Sequence, residues 1–486
     1  MTKKISISPN TRLEGHGKVE IFLDDSGNVK DSYFQVIEFR GFEKFCEGRH
    51  VEELPRITPK ICGVCPGAHH MASSKACDAV YNVQIPETAR KLRELFYNAH
   101  IAHSHILHFF ALGAPDILLM NEDPAQRNIF GLVAAVGKAI GIAVVDNRGY
   151  AQKIQEIIGG HQTYPVASLP GGLAKPLDQK ERKAILKMAK SLVEFSKKSL
   201  DIFDKLVLQN EKLVEIIASD IYMHETNYAG MVDDSNKVNF YDGMIKVVDP
   251  YGKEVCSFEV RDYLEHIAEH VEPWSYIKFP YIKDIGWKGL TDGPTSGVYR
   301  VNSLARLNVA DGMATPLAQE AYEKLFSLFG KKPVHNILAY HWARLIELLY
   351  ASERILELIG DPSITDTHVR NIPTDEPSEG IAAVEAPRGT LYHHYVTDKK
   401  GIVEKVNLIV ATVQNNAAIN MSVKKAAQNL IKNGKVNDTL LNMVEMAVRA
   451  YDPCLACSSH ALPGKMPLEV KIFWEGKFYK RIAYNG

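Results

Sequence analysis

Two CxxC pairs lie near opposite ends of this sequence. The first falls in ICGVC (61–65) and the second in DPCLAC (452–457). Each pair places two thiol groups on one turn of backbone, about the separation at which they can share a metal ion, and two pairs supply four sulfur ligands. If they form one site, the fold must bring together two segments that are separated by almost the whole chain.

Spacing alone leaves several interpretations of the two pairs open. Structural zinc sites usually take their pairs from within a few tens of residues, and a thioredoxin-like dithiol needs only one pair in a βαβ setting. A redox-active site for a soft metal is a further interpretation, because thiolates suit iron, nickel and copper as well as zinc. The two pairs can also be unrelated.

Composition excludes several classes of protein. Seven cysteines in 486 residues, with no export signal in MTKKISISPN, argue against a disulfide framework. A net charge of −1 gives no reason to expect nucleic acid or an anionic membrane as a partner. The most apolar run (131–145) is too short to span a bilayer and carries Lys138. We expect a cytoplasmic chain without a membrane span, and buried structural thiols at the cysteines outside the pairs, Cys46, Cys77 and Cys256.

Hydrophobic periodicity predicts a mixed but mainly helical fold. Residues 18–37 contain two strand-like runs, KVEIFL and SYFQVI, joined by the turn DDSGN, which predicts a hairpin. Helical spacing dominates 86–215, 316–360 and 420–451, whereas 220–310 is richer in glycine, aromatic and β-branched residues and predicts short strands and loops. We therefore expect an α+β, predominantly helical fold, with a central helix bundle and a small N-terminal β-containing region.

Five segments, in chain order, resemble the large subunit of nickel–iron hydrogenases. They are TRLEGHGKVE (11–20), RGFEKFCEGR (40–49), RITPKICGVCPGAHH (56–70), EAPRGT (385–390) and DPCLACSSH (452–460). The similarity covers essentially the whole chain and is greatest to cytoplasmic, bidirectional or heterodisulfide-reductase-linked members. One departure is Lys60, where many relatives carry arginine; the charge is kept but bidentate geometry is lost.

The resemblance implies a bimetallic site between the two chain ends. Cys62, Cys65, Cys454 and Cys457 would bind nickel, and Cys65 and Cys457 would also bridge to iron, whose other ligands would be carbon monoxide and cyanide. The implied reaction is reversible heterolytic cleavage of dihydrogen to protons and electrons. Because the chain carries no further cysteine cluster, the electrons would leave through an iron–sulfur small subunit, and further flavin or iron–sulfur subunits are expected.

The same resemblance implies roles for individual side chains. Cys454 would be the first proton acceptor and Glu14 would carry the proton onward, although a lone glutamate is usually a solvated surface acid. Arg388 would hold its permanent charge over the open coordination position.

Other side chains would support these groups. Asp116 and Asp452 would hold Arg388 in place, and His69 would hydrogen-bond a bridging sulfur. Four further histidines crowd one predicted helix, and we favour packing and hydrogen-bonding roles over a metal site for them: His100, His103, His105 and His108.

The chain runs on past the second cysteine pair. Relatives are cut after the histidine that closes this motif, which here is the bond from His460 to Ala461. We expect a maturation endopeptidase to remove 461–486, a hairpin-like tail that keeps the C-terminal cysteines accessible until nickel is inserted. His460 would then bind a magnesium or iron ion together with Glu43. The predicted organisation is a β-containing region (1–60), a helical-bundle catalytic body (61–460) and this cleavable tail.

Two other classes of protein stay open at this point. The quinone-site subunit of respiratory complex I is a non-catalytic relative, but it lacks the four cysteines that this chain retains. A protein with a structural zinc site would have no use for the segments RLEGH and EAPRG, nor for a removable tail.

Overall fold

The structure is a computed structural model that describes residues 3–120, 122–461, 468–474 and 476–484. An antiparallel sheet at the N-terminus contains β1 (Lys4–Ile7), β2 (Gly17–Leu23) and β3 (Val29–Val36), in the order β1-β2-β3. Alternate residues of β2 are buried, as expected for a strand with one face on a core. The predicted hairpin is confirmed.

Helices make up most of the body, as predicted. Three of them form its centre: α4 (Glu87–Leu107) and α8 (Gln179–Phe203) both pack on α13 (Tyr340–Gly360). The remaining helices are α1 (Phe42–Cys46), α2 (Leu54–Ile57), α3 (Pro66–Val80), α5 (Ala114–Leu118), α6 (Ile129–Val136), α7 (Lys138–Gly159), α9 (Glu211–Ala218), α10 (Tyr263–His266), α11 (Ser303–Val309), α12 (Pro316–Phe329), α14 (Ala411–Gln414), α15 (Asn416–Leu430), α16 (Asp438–Arg449) and α17 (Leu455–Ser458).

Short strands fill the segment between the helical regions, which confirms the prediction for 220–310. They form a sheet of order β11-β6-β7-β8 and a β10-β9 pair. Their bounds, with those of the small β4-β5 pair, are β4 (Ser168–Leu169), β5 (Gly172–Leu173), β6 (Asn227–Val232), β7 (Met244–Val248), β8 (Glu254–Phe258), β9 (Ile267–His270), β10 (Phe279–Ile282) and β11 (Tyr299–Arg300).

Sequence periodicity did not predict a further antiparallel sheet of β12 (Glu379–Ala386), β13 (Gly389–Thr397) and β14 (Val403–Ile409). The first two strands are buried along almost their whole length, so they lack the alternation by which a half-buried strand is recognised. The sheet packs on α3, the helix that follows the first cysteine pair. Gly380 permits this contact, because a Cβ there would lie 2.4 Å from the Ala76 carbonyl oxygen.

The tail is a hairpin, as predicted, of β15 (Leu468–Trp474) and β16 (Lys477–Tyr484). Among the helices that the structure describes, none combines the length and the apolar composition needed to cross a lipid bilayer. The predicted division at residue 60 stays a prediction. Val19 and Phe34 of the N-terminal sheet nevertheless belong to the same hydrophobic core as Leu92 of α4 and Leu345 of α13.

A fully buried ion cluster ties the centre of the bundle to the β12–β13 hairpin. The Arg306 guanidinium donates to both carboxylate oxygens of Glu347, at 2.5 and 2.6 Å, and to Glu385 at 2.7 Å. It also donates to the backbone carbonyls of Ala386 and Pro387, at 3.0 and 3.2 Å. Arg306 thereby fixes the hairpin turn that carries Arg388.

Replacing Arg306 by methionine should lower the free energy of unfolding by about 3–5 kcal/mol, because two buried carboxylates lose their partner. The expected observation is a large fall in the urea midpoint. Arg261→Met is a matched control: Arg261 pairs with Glu259 on the surface, so its loss should cost about 0–1 kcal/mol. Equal midpoints for the two variants would contradict this account.

Candidate metal centre

The two cysteine pairs are presented by two short turns that lead into helices. Cys62 follows a 3-10 turn (Thr58–Ile61), and Cys65 occupies the N-cap of α3, with proline at the first helical position. In the second pair, Cys454 is the N-cap of α17 and Cys457 lies within that helix. Each pair therefore places one cysteine at a helix N-cap, Cys65 in the first pair and Cys454 in the second, where partial positive charge favours thiolate ligands.

The structure brings all four thiol groups into one buried cluster. The Sγ–Sγ distances are 3.1 Å from Cys62 to Cys454, 2.9 Å from Cys65 to Cys457 and 2.9 Å from Cys454 to Cys457. All four sulfurs lie within 4.8 Å of one another, and none of the four residues is more than 4% exposed. The interpretation that the pairs are unrelated is therefore wrong, and the prediction of a single site between the chain ends is confirmed.

Electrostatics at the cluster favour a bound cation. Burial raises the pKa of the Cys454 and Cys457 thiols well above the ordinary value, whereas hydrogen bonds from the neighbouring thiols hold the pKa of Cys62 well below it. Without a metal, the protein therefore favours the thiolate at Cys62 and the neutral thiol at Cys454 and Cys457. Four thiolates at this spacing require a positively charged partner, and their softness suits nickel and iron. The residues present fit a metal centre.

Glu14 lies directly against the second cysteine pair. Its Oε2 accepts the Cys454 thiol proton at 3.1 Å and the Ala456 backbone N–H at 2.9 Å, and its own carbonyl accepts the Leu455 N–H at 3.0 Å. Gly15 permits this approach: it has φ of +84°, and a Cβ there would lie 2.7 Å from the Leu455 Cβ. Burial, reinforced by the charge on Cys62, raises the pKa of Glu14.

Arg388 is presented at the tip of the β12–β13 hairpin. The register pairs Ala386 with Gly389, so Pro387 and Arg388 form the two-residue turn. Arg388 donates from Nε to the Asp452 carbonyl oxygen at 2.6 Å and from Nη2 to the Asp452 carboxylate at 3.0 Å. Burial opposes its charge, but Asp452 and the neighbouring sulfurs outweigh that effect, so the pKa of Arg388 is raised.

Of the two carboxylates predicted to hold Arg388, the structure places only Asp452 in contact with it. Asp116, at the start of α5, instead accepts from Arg449 Nη1 at 2.7 Å and from Arg12. The reason is competition: two arginines converge on the Asp116 carboxylate from α16 and from the N-terminal segment. Arg449 also donates to the Thr11 carbonyl at 2.8 Å, so this cluster fastens the segment that carries Glu14.

Sequence reasoning missed Arg449. Its signal is weak: it is a basic residue in the last turn of α16, three positions before Asp452. Nothing in that position distinguishes an arginine that organises the site from one that neutralises a helix C-terminus.

His69 contacts the cluster from α3. Its Nε2 lies 3.4 Å from the Cys457 sulfur, and its Nδ1 lies 3.2 Å from His393 Nε2. His393, on β13, is bound in turn to the Tyr395 hydroxyl at 2.6 Å. Burial lowers the pKa of His69 to about 3, so the ring is neutral at physiological pH. His393 was also missed, because the strand that carries it was not predicted.

Glu43 and His460 lie together, beside the cluster. His460 Nε2 is 3.6 Å from Glu43 Oε1 and 2.7 Å from the Leu408 carbonyl oxygen, while its Nδ1 contacts the Cys457 carbonyl at 2.8 Å. Glu43 accepts the Leu408 N–H at 2.8 Å. A carboxylate, a backbone carbonyl and an imidazole therefore converge on one place, as a hard divalent cation requires of its ligands.

The C-terminal tail does not hold the second cysteine pair open. With residues 468–484 present as a hairpin, Cys454, Cys457 and His460 are all at most 1% exposed, and Ala461 is 8% exposed. The expectation that an attached tail keeps these cysteines accessible is therefore not met. The physical reason is that Leu408 and Cys457 hold the His460 ring from both sides before the chain leaves the site.

The histidines of α4 bind protein groups, as favoured from the sequence. His105 contacts Glu347 at 2.9 Å, His108 contacts the Arg449 carbonyl at 3.0 Å and His100 contacts Gln155 at 3.2 Å. His103 has no hydrogen-bond partner in the part of the chain that the structure describes. Of the cysteines outside the pairs, Cys46 and Cys77 are buried as predicted, whereas Cys256 is only half-buried.

A surface groove of about 990 Å³ borders the first cysteine pair. Lys60 and Arg40 lie in its wall with the exposed Phe45, and Arg40 also donates to the carbonyls of Ile61 and Ala456, one from each cysteine loop. Lys60 places its ammonium 3.7 Å from the centre of the Tyr164 ring. Lys60, which stands where many relatives carry arginine, therefore makes a cation–π contact in place of a bidentate arginine contact.

Comparisons with known proteins agree with this site. A family described as "Nickel-dependent hydrogenase" matches residues 40–124 and 216–460, and a second, described as HoxL-like, matches residues 4–39. The chain is 52% identical over 483 residues to a protein of Archaeoglobus profundus that is named as an iron-sulfur subunit of an F420-non-reducing hydrogenase, covering 99% of each chain. It is 36% identical to the "NAD-reducing hydrogenase HoxS subunit beta" of Cupriavidus necator, covering 97% of this chain and 98% of the relative.

Solved structures give the same result. A structure of an NAD+-reducing [NiFe]-hydrogenase in the H2-reduced state superposes with a TM-score of 0.89 at 36% identity, over 94% of this chain and 100% of that one. A nickel–iron–selenium hydrogenase of D. vulgaris Hildenborough shares the fold at 21% identity and a TM-score of 0.74, over 95% of this chain and 100% of that one. The complex I and structural-zinc interpretations are therefore set aside, and the chain belongs to the nickel-dependent hydrogenase family as a large subunit.

Proposed function

We propose that this chain is the catalytic subunit of a nickel–iron hydrogenase that reversibly cleaves dihydrogen to protons and electrons. The observation that carries the proposal is the four-sulfur cluster from both chain ends, with Glu14 in contact with Cys454 and Arg388 beside it. Cys62, Cys65, Cys454 and Cys457 would hold nickel, and the close pair Cys65 and Cys457 would be shared with iron. When bound, such a centre, with carbon monoxide and cyanide on its iron, supplies the electron-rich metals at which dihydrogen is split.

Proton movement is assigned to Cys454 and Glu14. A metal-bound thiolate keeps basicity on sulfur, so Cys454 Sγ accepts the proton and Glu14 Oε2, 3.1 Å away, receives it. Glu14 is half-buried, whereas Cys454 is 1% exposed, so the carboxylate joins the buried cluster to the outside. Burial raises the pKa of Glu14, which favours its protonated form beside Cys454.

Arg388 and His69 orient the site. Asp452 holds two of the Arg388 nitrogens, while Nη1 is buried without a hydrogen-bond partner in the described structure. With the metals bound, this free N–H and the fixed positive charge would polarise dihydrogen beside the cluster. His69 Nε2, 3.4 Å from the Cys457 sulfur, would donate to that sulfur as a metal-bound thiolate and so fix the ligand's orientation.

A second metal ion and partner proteins complete the proposal. Magnesium or iron would bind Glu43, His460 and the Leu408 carbonyl, which already converge.

An iron–sulfur small subunit would dock on the groove beside Lys60, with its exposed aromatic Phe45, since electrons must leave near the cysteine loops. The relatives' names, which include "iron-sulfur" and "NAD-reducing", support further electron-transfer subunits, flavin or iron–sulfur. A cytoplasmic location is proposed on the same basis.

The purified native complex should contain nickel and iron in about equal amounts at this site. Infrared bands of metal-bound carbon monoxide and cyanide should accompany dye-linked oxidation of dihydrogen. Metal analysis, infrared spectroscopy and a gas-consumption assay test the three parts separately. An active preparation that contained zinc alone would refute the proposal.

Glu14→Gln should lower the rate of hydrogen–deuterium exchange at least a hundredfold while the metal content stays unchanged. Glutamine keeps the shape and can still accept from Ala456 N–H, but it cannot carry a proton. Isotope exchange between dihydrogen and deuterated water is the measurement. Exchange at the wild-type rate in a fully loaded variant would show that the proton leaves elsewhere.

We infer that a maturation endopeptidase cuts the bond after His460 and removes 461–486. Ala461 is 8% exposed, so the cut requires local opening of this segment. Mass spectrometry of the large subunit from the active complex should find His460 at its end, and a chain stopped at His460 by mutation should need no cut. Full activity from a chain intact through Gly486 would make the tail a permanent part of the fold.

A further inference from the structure

A row of buried polar atoms lies between α4 and α7. His100 Nε2, both ring nitrogens of His103 and Arg148 Nε are buried and have no hydrogen-bond partner among the described residues. His100 and His103 are 1% and 7% exposed. The metal-binding proposal above does not use these groups, and a protein interior rarely leaves several neighbouring polar atoms unsatisfied.

The residues of this row share one seam between the two helices. On α7, Arg148, Gln152 and Gln155 are spaced by four and three positions, which places them on one face. On α4, the rings of His100 and His103 stack with their centres 6.5 Å apart. Gln155 Oε1 lies 3.2 Å from His100 Nδ1 and so joins the two helices. We call these five residues the α4–α7 seam.

The inner end of the seam reaches the metal centre. The His100 ring packs against Gly67, two residues after Cys65, so closely that a Cβ on Gly67 would lie 2.8 Å from it. His100 also interacts electrostatically with Arg388 and Cys62. Arg388 Nη1, beside the cluster, is another buried donor without a described partner.

The outer end of the seam reaches the surface. Arg148 and Gln152 line a pocket of about 760 Å³ whose other walls are mainly apolar, including the exposed side chains of Phe130 and Val145. Arg148 and Gln152 therefore lie where a hydrated path from the interior can open to solvent.

Water is the ligand that suits such a row. An unpaired buried polar group costs about 1–3 kcal/mol, and an ordered water that bridges two or more such groups removes that cost. Burial lowers the pKa of His100 to about 4 and that of His103 well below its ordinary value, so both rings are neutral. A neutral imidazole offers one donor and one acceptor, which are the groups that a chain of waters needs at each step.

We propose that the α4–α7 seam holds ordered water and conducts protons between the metal centre and the pocket at Arg148, by a route separate from Glu14. A proton that joins the water chain at one end releases another at the far end, so every side chain keeps its charge. The assignment of the moving proton rests on the hydrogenase function proposed above, whereas the hydration of the seam does not.

The hydration is tested on the native complex. A crystal structure at about 1.5 Å resolution or better should show ordered waters hydrogen-bonded to His103 and to Arg148 Nε. A dry seam would overturn the proposal whatever the enzyme's activity.

Proton conduction is tested in the Glu14→Gln complex, where the main route is closed. The slow isotope exchange that remains should fall at least tenfold when His103 is replaced by leucine, which fills the seam with an apolar group. His103→Gln is the matched control: it can still bind water and should keep at least half of the exchange.

Two results would overturn the conduction. Either no exchange remains in Glu14→Gln, or leucine and glutamine at position 103 have the same effect, which would indicate packing rather than water. Nickel and iron content are measured in every variant. A complex that lacks both metals contradicts the proposed function instead, and it leaves the crystallographic test of the seam valid.

Discussion

Four thiol groups buried within 4.8 Å of one another are the constraint on which the rest of this structure depends. Burial disfavours the thiolate at Cys454 and Cys457, and one thiolate at Cys62 makes the next more costly. A bound cation would be needed to hold all four charged at once. The same cluster joins the two chain ends, because each end supplies two of its four sulfurs.

Buried arginines hold the segments around that cluster. Arg306 fixes the turn before Arg388, Arg388 fixes Asp452 and Arg449 fixes the segment that leads to Glu14. Each of these guanidinium groups binds both a carboxylate and at least one backbone carbonyl, and its planar fork of donors fixes the directions of those bonds. The positions of Glu14, Arg388 and Cys454 are therefore set by charge pairs inside the protein, where water does not weaken them.

Much of the fold was predictable, because amphipathic helices and the N-terminal hairpin carry clear periodicity. The β12–β14 sheet was not, because its first two strands are buried along almost their whole length and show no alternation. The site shows the same division. The cysteines, Glu14, Arg388 and His69 stand in short motifs, whereas Arg306, Arg449 and His393 act through contacts with residues far away in the sequence. Asp116 was assigned to the wrong arginine for this reason, since an ion pair depends on which charges converge in space.

The sequence by itself determined the ligand chemistry: four cysteines in two turns, with an acid and an arginine in recognisable segments. Local spacing suffices for this, because each CxxC turn presents its two sulfurs without help from the rest of the chain. Only the tertiary structure decided that the pairs meet, that Glu14 touches Cys454 and that His460 is buried with its tail attached. It also placed the unsatisfied nitrogens of His103 and Arg148 in one seam. Those contacts depend on long-range packing, and no local sequence pattern specifies which distant segments will meet in the buried interior.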